Sequence, residues 1–374
     1  MAFFLSMHGV LFLYVLIRLV VPLRLGRPAK IALGLLLLLI SQHYLVRMAF
    51  GRMASPETPR WLILVEGWCF AVLVLLFLFT LLRDCVWLAR RAAPRRAPKS
   101  FSPERRAALF AALAAGTALY GVSKGVEVPE VRSRELRLPR LPRELDGLAV
   151  AHLTDIHISP LFPAWWAQAL VERVNAAKPD LILLSGDLVD GAPGLRARDI
   201  APLRDLRAPY GVFGCTGNHE YYSGFQAWMP VFSGLGISML LNSHALLSIQ
   251  GHSLAVAGVT DPVAGGFGLP LPAKEAALRG IPEGVTRIML EHRPGSAAES
   301  AAAGADLQLS GHTHGGHALG LDRLVARFNG GYVYGAYMVG PMPLYVSSGA
   351  GLWNGFPLRL GVPSEIARIV LRSV

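Results

Sequence analysis

Cysteine is scarce in this chain of 374 residues, which contains only Cys69, Cys85 and Cys215. So few cysteines exclude a disulfide framework, and their number does not define a redox compartment. Charged residues are also few, at 16%, whereas hydrophobic residues make up 53% and the mean hydropathy is +0.42. This composition is typical of a protein that is part membrane region and part globular domain.

Acidic residues are nearly absent from the first third of the chain. Up to Lys124 the sequence has 4 Asp and Glu against 16 Lys and Arg, whereas from Gly125 onward it has 21 against 20. The net charge of +11 therefore belongs to the first part, and the second part is nearly neutral. Because the second part shows no basic face, we expect no nucleic-acid partner. The basic residues instead predict membrane topology and contacts with anionic membrane lipids.

The basic first part also contains four long apolar runs, at about 3–23, 31–46, 61–82 and 107–122. Runs of roughly 20 apolar residues predict membrane-spanning helices. We therefore interpret 1–124 as a multi-pass α-helical membrane region with about four transmembrane helices, followed by a globular domain at 125–374. For the fourth run, which is rich in Ala and Gly, a buried core helix is the alternative.

Positive charges between the apolar runs predict the side of the membrane on which each end lies. The loop between the third and fourth runs carries eight of them: Arg83, Arg90, Arg91, Arg95, Arg96, Lys99, Arg105 and Arg106. Loops of this kind stay in the cytoplasm. With four spans the C-terminal domain then lies on the outer side of the membrane, whereas it stays in the cytoplasm if the fourth run does not span.

Five short polar clusters lie along the second part, each directly after a short apolar segment. The apolar segments, at 149–153, 181–184, 211–213, 287–290 and 306–309, are predicted strands. Ligands bind at the carboxyl ends of strands in open α/β sheets, so we expect the clusters to converge rather than to be five unrelated turns. They are Asp155-Ile156-His157, Gly186-Asp187-Leu188-Val189-Asp190, Gly217-Asn218-His219-Glu220, Glu291-His292 and Gly311-His312-Thr313-His314.

The clusters combine Asp, Asn and His, a mixed oxygen and nitrogen ligand set that suits Mn, Fe, Zn or Co. A two-metal hydrolytic site needs such a set, with one carboxylate bridging the ions. In order and type the clusters resemble those of the calcineurin-like metallophosphoesterase superfamily, and more closely its membrane-associated bacterial phosphohydrolase branch. The resemblance runs from about Leu136 to the end, including 344–351 and 357–360. It implies a calcineurin-like two-sheet β-sandwich flanked by helices, an α/β domain that binds two divalent metal ions.

The resemblance also implies a role for each matching residue. Asp187 would bridge the two metal ions. His219 would face the phosphoryl group, stabilise its charge and protonate the leaving oxygen, and Asp190 would hydrogen-bond His219 and fix its tautomer. The remaining ligands would be Asp155, His157 and His314 for the first metal, and Asn218, His292 and His312 for the second.

Substrate contacts are less defined by the sequence. The candidates are His317, Tyr221 and Arg359; an exposed loop histidine is the alternative for His317, and core packing is the alternative for Tyr221. The branch often carries Gln at the position of His317 and Arg at the position of Ser348, so these departures concern substrate contacts rather than the metal site. Glu220 either supports the second metal's surroundings or caps the following helix.

These observations predict a membrane-anchored, metal-dependent phosphohydrolase in the bacterial inner membrane, with its catalytic domain on the periplasmic side. It would cleave a phosphodiester or pyrophosphate, on an envelope or lipid-linked substrate, by attack of a dimetal-bridging hydroxide. One alternative is a UDP-acylated-sugar pyrophosphatase of lipid A synthesis, which requires a cytoplasmic catalytic domain. Another is a metal-binding sensor or regulatory membrane protein without catalysis. The sequence leaves the exact substrate, the metal identity and the oligomeric state open.

Overall fold

A computed structural model describes residues 2–49, 51–52, 55–91 and 102–374. Arg95, Arg96 and Lys99 of the basic loop lie outside these residues. The chain divides into two compact units, one of residues 1–124 with 354–358 and the other of residues 125–353 with 359–374.

The first unit is mainly helical. A short antiparallel pair, β1 (Gly51–Arg52) and β2 (Ser55–Pro56), lies between its third and fourth helices. A π-helical segment, Leu16–Val20, extends the first helix. The helices are α1 (Ala2–Val15), α2 (Arg27–Ile40), α3 (His43–Ala49), α4 (Arg60–Arg91) and α5 (Pro103–Gly125).

Among the described residues, two helices are long and apolar enough to cross a membrane, at 60–90 and 103–125. The four-span prediction is therefore supported for its third and fourth runs only. The second run fails because α2 has 14 residues, which is about 21 Å of helix against the ~30 Å of a bilayer core. For the fourth run, the core-helix alternative is disfavoured because Leu109, Leu113 and Leu119 are exposed.

The second unit contains two six-stranded mixed sheets. The first has the order β3-β14-β4-β5-β6-β7, and the second has the order β12-β13-β11-β10-β9-β8. Strands β4 to β7 are parallel, as are β9, β10, β11 and β13. The strands are β3 (Glu130–Leu138), β4 (Ala149–Leu153), β5 (Leu181–Ser185), β6 (Val212–Cys215), β7 (Ser238–Met239), β8 (Ser243–Ile249), β9 (His252–Gly258), β10 (Thr286–Leu290), β11 (Leu307–Ser310), β12 (Gly335–Val339), β13 (Met342–Val346) and β14 (Glu365–Ser373).

The two sheets share one hydrophobic core. Leu183 of β5 and Ile369 of β14 belong to the same buried cluster as Val256 of β9 and Leu309 of β11. A second cluster, which includes Met289, packs the other face of the second sheet against helices. The flanking helices are α6 (Ala164–Ala176), α7 (Pro193–Ile200), α8 (Asn218–Tyr222), α9 (Phe225–Gly234), α10 (Lys274–Leu278), α11 (Ala297–Ala302) and α12 (Asp322–Phe328). The predicted two-sheet α/β sandwich is therefore confirmed.

Candidate metal centre

The five polar clusters follow strands of both sheets and meet at one edge of the sandwich. β4, β5 and β6 of the first sheet and β10 and β11 of the second each end two to four residues before a predicted metal ligand. Three groups of side chains there place ligand atoms within 4.8 Å of one another. They are Asp155 with His157 and His314, His157 with Asp187 and His219, and Asp187 with His292 and His312.

The carboxylate of Asp187 lies between the other ligands. Its Oδ2 is 3.1 Å from Nε2 of His292, 3.7 Å from Nε2 of His157 and 4.0 Å from Nε2 of His219. Oδ1 of Asp155 lies 3.9 Å from Nε2 of His157 and 3.6 Å from Nε2 of His314. Asp187 therefore has the central position that a bridging ligand requires.

Hydrogen bonds fix the orientation of two of the histidine rings. His157 donates from Nδ1 to Oδ1 of Asp190 at 3.2 Å, and His292 donates from Nδ1 to the carbonyl oxygen of Ser185 at 2.8 Å. In both rings the Nε2 lone pair therefore points at a carboxylate oxygen. A lone pair and a carboxylate oxygen are both hydrogen-bond acceptors, so they cannot bond to each other directly. Such an arrangement is stable only with a cation or a proton between them.

Buried atoms without a hydrogen-bond partner also indicate that this site binds cations. Within the described residues, Nε2 of His157 and Oδ1 of Asn218 are buried without a hydrogen-bond partner. Buried polar groups are nearly always paired, so atoms of this kind at a cluster of carboxylates indicate metal ligands. Nitrogen and oxygen donors in these numbers fit two divalent cations.

The carboxylates around His292 favour a positive charge at this position. Burial by itself would lower the pKa of His292, but the carboxylate of Asp187, with a smaller contribution from Asp155, raises it to about 10. A proton on His292 therefore takes the place of a cation between its ring and Asp187. A bound metal ion would replace that proton.

His219 and Asp190 form a pair beside the ligand groups. Nδ1 of His219 donates to Oδ1 of Asp190 at 2.5 Å, and the backbone N–H of His219 donates to Oδ1 of Asp187 at 2.8 Å. Burial by itself would lower the pKa of His219, but Asp190 and Asp187 raise it to about 9. Because Nδ1 is used by Asp190, the Nε2–H of His219 is the group that faces the site.

Several ligands have a backbone conformation that the sequence did not reveal. Asp155, His157, Asp187, His312 and His314 have φ values between 48° and 71°, in the left-handed region that residues other than glycine rarely adopt. Conformations of this kind cost free energy and persist where the surrounding structure holds them, as at functional sites. At this site the N–H groups of Asp155 and His157 donate to the carbonyl oxygens of Gly186 and Asp187, both at 3.0 Å.

Glycine at positions 217 and 311 lets the ligand loops approach closely. A Cβ atom at Gly217 would overlap Oδ1 of Asp187, and one at Gly311 would overlap Oγ1 of Thr154 and Oδ2 of Asp155. A larger residue is therefore excluded at both positions by steric overlap, and not by the backbone φ angle.

Glu220 has a larger role than that of a helix cap. Its buried carboxylate accepts hydrogen bonds from the backbone N–H groups of Gly217 at 2.7 Å, Asp187 at 3.0 Å and Leu188 at 2.6 Å. The first bond caps α8, and the other two fasten the loop that carries Asp187. Burial, followed by the charge of Asp187, raises the pKa of Glu220 to about 7.

Of the three predicted substrate contacts, His317 has a partly exposed ring beside a predicted ligand. Its ring is half-buried and 5.2 Å from the ring of His314. Tyr221 is instead buried, with its hydroxyl 3.0 Å from that of Thr216 and its ring stacked on Phe225. The core-packing alternative for Tyr221 is the one that the structure shows.

Arg359 is also buried, and its side chain contacts the backbone. Its buried guanidinium donates to the carbonyl oxygens of Ser348 at 2.8 Å, Gly351 at 2.9 Å and His314 at 3.2 Å. The predicted substrate contact is corrected, because both Nη groups of Arg359 donate to backbone carbonyl groups in the interior. It holds the turn of His314 against the loop that follows β13.

Aromatic rings that the sequence did not define surround His219. The ring of Tyr222 lies 5.5 Å from that of His219, and the ring of Trp353 lies 6.2 Å from it. Exposed Phe267 is 6.2 Å from Tyr222. Paired aromatics at 221–222 gave a weak signal for Tyr222, but nothing in the sequence pointed to Phe267 or Trp353.

Comparisons with known proteins agree with this geometry. A family described as calcineurin-like phosphoesterase matches residues 148–316. The transmembrane protein with metallophosphoesterase domain of Danio rerio is 31% identical over 332 residues, which are 84% of this chain and 75% of that protein. The protein of the same name from Bos taurus is 32% identical over 305 residues, covering 76% and 67%. The uncharacterized metallophosphoesterase YkuE of Bacillus subtilis is 29% identical over 284 residues, covering 71% and 95%.

The relatives include animal as well as bacterial proteins, so the similarity is wider than the predicted bacterial branch. The predicted superfamily is confirmed by the extent of these matches and by the convergent ligand groups. The chain belongs to the calcineurin-like metallophosphoesterase family, as a hydrolase of phosphate esters with a dinuclear centre of divalent metal ions.

Proposed function

We propose that the protein is a membrane-anchored phosphohydrolase that cleaves a phosphodiester or a pyrophosphate of a lipid-linked or envelope substrate. Residues 1–124 form its membrane region and residues 125–374 its catalytic domain. The observation that carries the proposal is the position of Asp187, between two groups of ligands and directly beside the pair of His219 and Asp190.

The groups of side chains support the ligand assignment that the family resemblance implies. Asp155, His157 and His314 would hold one cation, Asn218, His292 and His312 would hold the other, and Asp187 would bind both. When bound, the two divalent cations supply Lewis-acid stabilisation of the phosphoryl oxygens and an activated water. Most of the ligands are neutral, so the centre has little negative charge to repel a phosphate.

His219 and Asp190 supply the proton chemistry. Asp190 accepts the Nδ1–H of His219, which leaves Nε2–H directed at the site. From there His219 donates a hydrogen bond to the phosphoryl oxygen and protonates the leaving oxygen as general acid. Burial by itself would lower the pKa of His219, but Asp190 and Asp187 raise it to about 9. Of these two carboxylates, Asp190 is not a predicted metal ligand and favours the protonated ring through its contact with Nδ1.

The membrane location is supported by the two long apolar helices and by relatives that are named as transmembrane proteins. The side of the catalytic domain then depends on α5 alone. The basic loop that precedes α5 stays in the cytoplasm, so a spanning α5 carries the following domain to the outer side. This orientation is the same whether two helices or four cross the membrane.

Hydrolysis of bis(p-nitrophenyl) phosphate by the full chain in detergent tests the catalytic proposal. The protein is stripped with chelator and then supplied with Mn, Fe, Zn or Co. We expect metal to restore activity in the wild type, and Asp187→Asn and His219→Ala to lower it at least ~100-fold. His252→Ala, at a partly exposed residue beside Glu144, is the matched control and keeps full activity. Metal-restored activity in Asp187→Asn would contradict the proposal.

A further inference from the structure

A short helix beside the metal centre directs its large apolar side chains outward. This helix, α12, begins eight residues after His314, and none of its residues is buried. Leu324 is 56% exposed and Phe328 is 79% exposed, and Leu319, just before the helix, is 74% exposed. Leu324 and Phe328 are four residues apart and therefore lie on the same face of the helix.

The inward side of α12 consists of smaller or acidic residues. Asp322, Val325 and Ala326 are half-buried. The backbone of Asp322 lies so close to Gly316 that a Cβ atom on that glycine would overlap it. A helix at the surface of a soluble domain usually turns its apolar stripe to the core and its polar residues to water. The largest apolar residues of α12 have the opposite orientation.

Two arginines complete the outward side. Arg323 and Arg327 are exposed, are four residues apart, and precede Leu324 and Phe328 by one position each, which places a basic edge along the apolar stripe. Arginine stems can extend along an apolar surface while their guanidinium groups reach anionic lipid headgroups. Basic residues beside leucine and phenylalanine are the pattern of a helix that lies in a membrane interface.

The segment is attached to the metal centre at its start. The N–H of Leu319 donates to the carbonyl oxygen of Leu360 at 3.0 Å, and Ala318 pairs with Leu360 as a single parallel bridge. Arg359, the neighbour of Leu360, holds the carbonyl oxygen of His314. The position of α12 is therefore coupled to the turn that carries this ligand.

We propose that the segment 319–328 lies in the surface of an anionic lipid bilayer. Leu319, Leu324 and Phe328 enter the acyl region, and Arg323 and Arg327 bind headgroup phosphates. The opening of the metal centre is thereby held at the lipid surface, where it accepts a phosphate ester whose leaving group or alcohol is lipid-linked. This inference rests on the membrane location in the proposed function and specifies its substrate class.

A second copy of the chain is a less suitable occupant of this surface. Three apolar side chains on one short segment supply far less than the roughly 800 Å² per partner of a stable protein interface. Insertion into lipid needs no such complementary protein surface, and the described part of the chain has two helices of membrane-spanning length and composition.

Photo-crosslinking of the full chain in lipid nanodiscs tests the inference. The discs contain phosphatidylethanolamine and phosphatidylglycerol in a ratio of about 3:1, and p-benzoylphenylalanine replaces Phe328. The matched control has the same replacement at Met338, which is 65% exposed on β12. We expect the yield of lipid adduct, measured by mass spectrometry, to be at least fivefold higher at position 328. Equal yields at both positions, or a crosslink from position 328 to protein, would overturn the inference.

A double variant separates this inference from the catalytic proposal. Leu324→Ser with Phe328→Ser should lower the lipid adduct at a benzoylphenylalanine placed at Leu319 at least threefold, and an unchanged adduct contradicts insertion. The same variant should hydrolyse water-soluble bis(p-nitrophenyl) phosphate within twofold of the wild type. If no form of the protein hydrolyses that compound while the adduct at 328 persists, the proposed function fails and the membrane contact stands.

Discussion

At the scale of single residues, the metal centre depends on side chains that hold the ligands as well as on the ligands themselves. Asp190 orients two histidines, Glu220 fastens the Asp187 loop, and Arg359 fastens the His314 turn. The convergence of the five polar clusters could be predicted because each cluster follows a recognisable strand. The buried roles of Tyr221 and Arg359 could not, because the sequence does not reveal which carbonyl groups or rings will surround a side chain.

Asp190→Asn tests the orientation of His219. Asparagine keeps an oxygen that accepts the Nδ1–H of His219, but it lacks the negative charge that stabilises the protonated ring. The neutral ring with its proton on Nδ1 has no Nε2–H for the leaving group. We expect kcat for bis(p-nitrophenyl) phosphate at saturating metal to fall at least ~100-fold. The bound metal is measured in parallel by atomic emission. A kcat within threefold of the wild type, with metal present, would show that His219 does not depend on this contact.

Arg359→Lys tests the buried clamp. A lysine amine has three donors and cannot reach every carbonyl that the guanidinium serves, so buried acceptors lose their partners. We expect a loss of about 2–4 kcal/mol in the free energy of unfolding, measured in detergent by chemical denaturation. Arg372→Lys is the control, since its pairs with Glu135 and Asp146 are exposed and its replacement should destabilise the protein far less than Arg359→Lys. Equal losses in the two variants would contradict the clamp.

At the scale of elements, strands that end in polar turns are the part of the fold that the sequence defined best. β4 has the predicted bounds of 149–153, and β5, β6, β10 and β11 differ from prediction by one or two residues at either end. Apolar runs bounded by glycine and charged residues are a local property, so they are readable without the fold. The left-handed turns that aim the ligands are a consequence of tertiary packing and had no local signal.

Gly311→Ala tests the close packing of the ligand loops. The added methyl group would overlap Thr154 and Asp155, so the loop after β11 must move away from the first group of ligands. We expect loss of at least half of the bound metal and a fall in activity of at least ~10-fold. Gly266→Ala is the control, because no atom lies within 4 Å of the added carbon. Full metal content in Gly311→Ala would contradict this account of the loops.

His152 in β4 gives the domain an acid-sensitive strand. Burial lowers the pKa of His152 to about 3, whereas an unfolded chain has a value near 6.5. The unfolded state therefore binds more protons between these values, so this stabilisation is complete above pH ~6.5 and is lost as the pH falls toward 3.

Between those values one such group contributes a slope of about 1.4 kcal/mol per pH unit in the free energy of unfolding. His152→Gln can keep a hydrogen bond to Ser185. In this variant the free energy of unfolding should fall less steeply as the pH is lowered, by up to that slope. The measurement is chemical denaturation of metal-free protein from pH 7 to pH 4. The same pH dependence of the free energy of unfolding in the wild type and the variant would contradict the prediction.

At the scale of the whole molecule, the membrane region was the least accurately predicted part. The runs at 3–23 and 31–46 were expected to span, but the first helix with its π-helical extension ends at Val20, and α2 ends at Ile40. Hydropathy alone does not reveal where a helix ends. A core helix was the alternative for the run at 107–122. Among the described residues, this run lies in one of the two helices that are long and apolar enough to cross a membrane.

The side of the catalytic domain can be tested directly on cells. A C-terminal epitope should be digested by protease added to intact spheroplasts, because a spanning α5 carries the domain to the outer side. Deletion of residues 103–125 should leave the epitope protected until the spheroplasts are lysed. Protection of the epitope in the undeleted protein would place the domain in the cytoplasm and would favour the cytoplasmic alternatives.

The central claim is that Asp187 joins two metal ions in one centre, and anomalous diffraction tests it most directly. Crystals of the full chain are grown after chelation and soaked in Mn²⁺, and data are collected at an energy where manganese scatters anomalously. The account predicts two peaks, both in contact with the carboxylate of Asp187, one beside Asp155 and His157 and the other beside Asn218 and His292. A single peak, or two peaks of which only one touches Asp187, would contradict it.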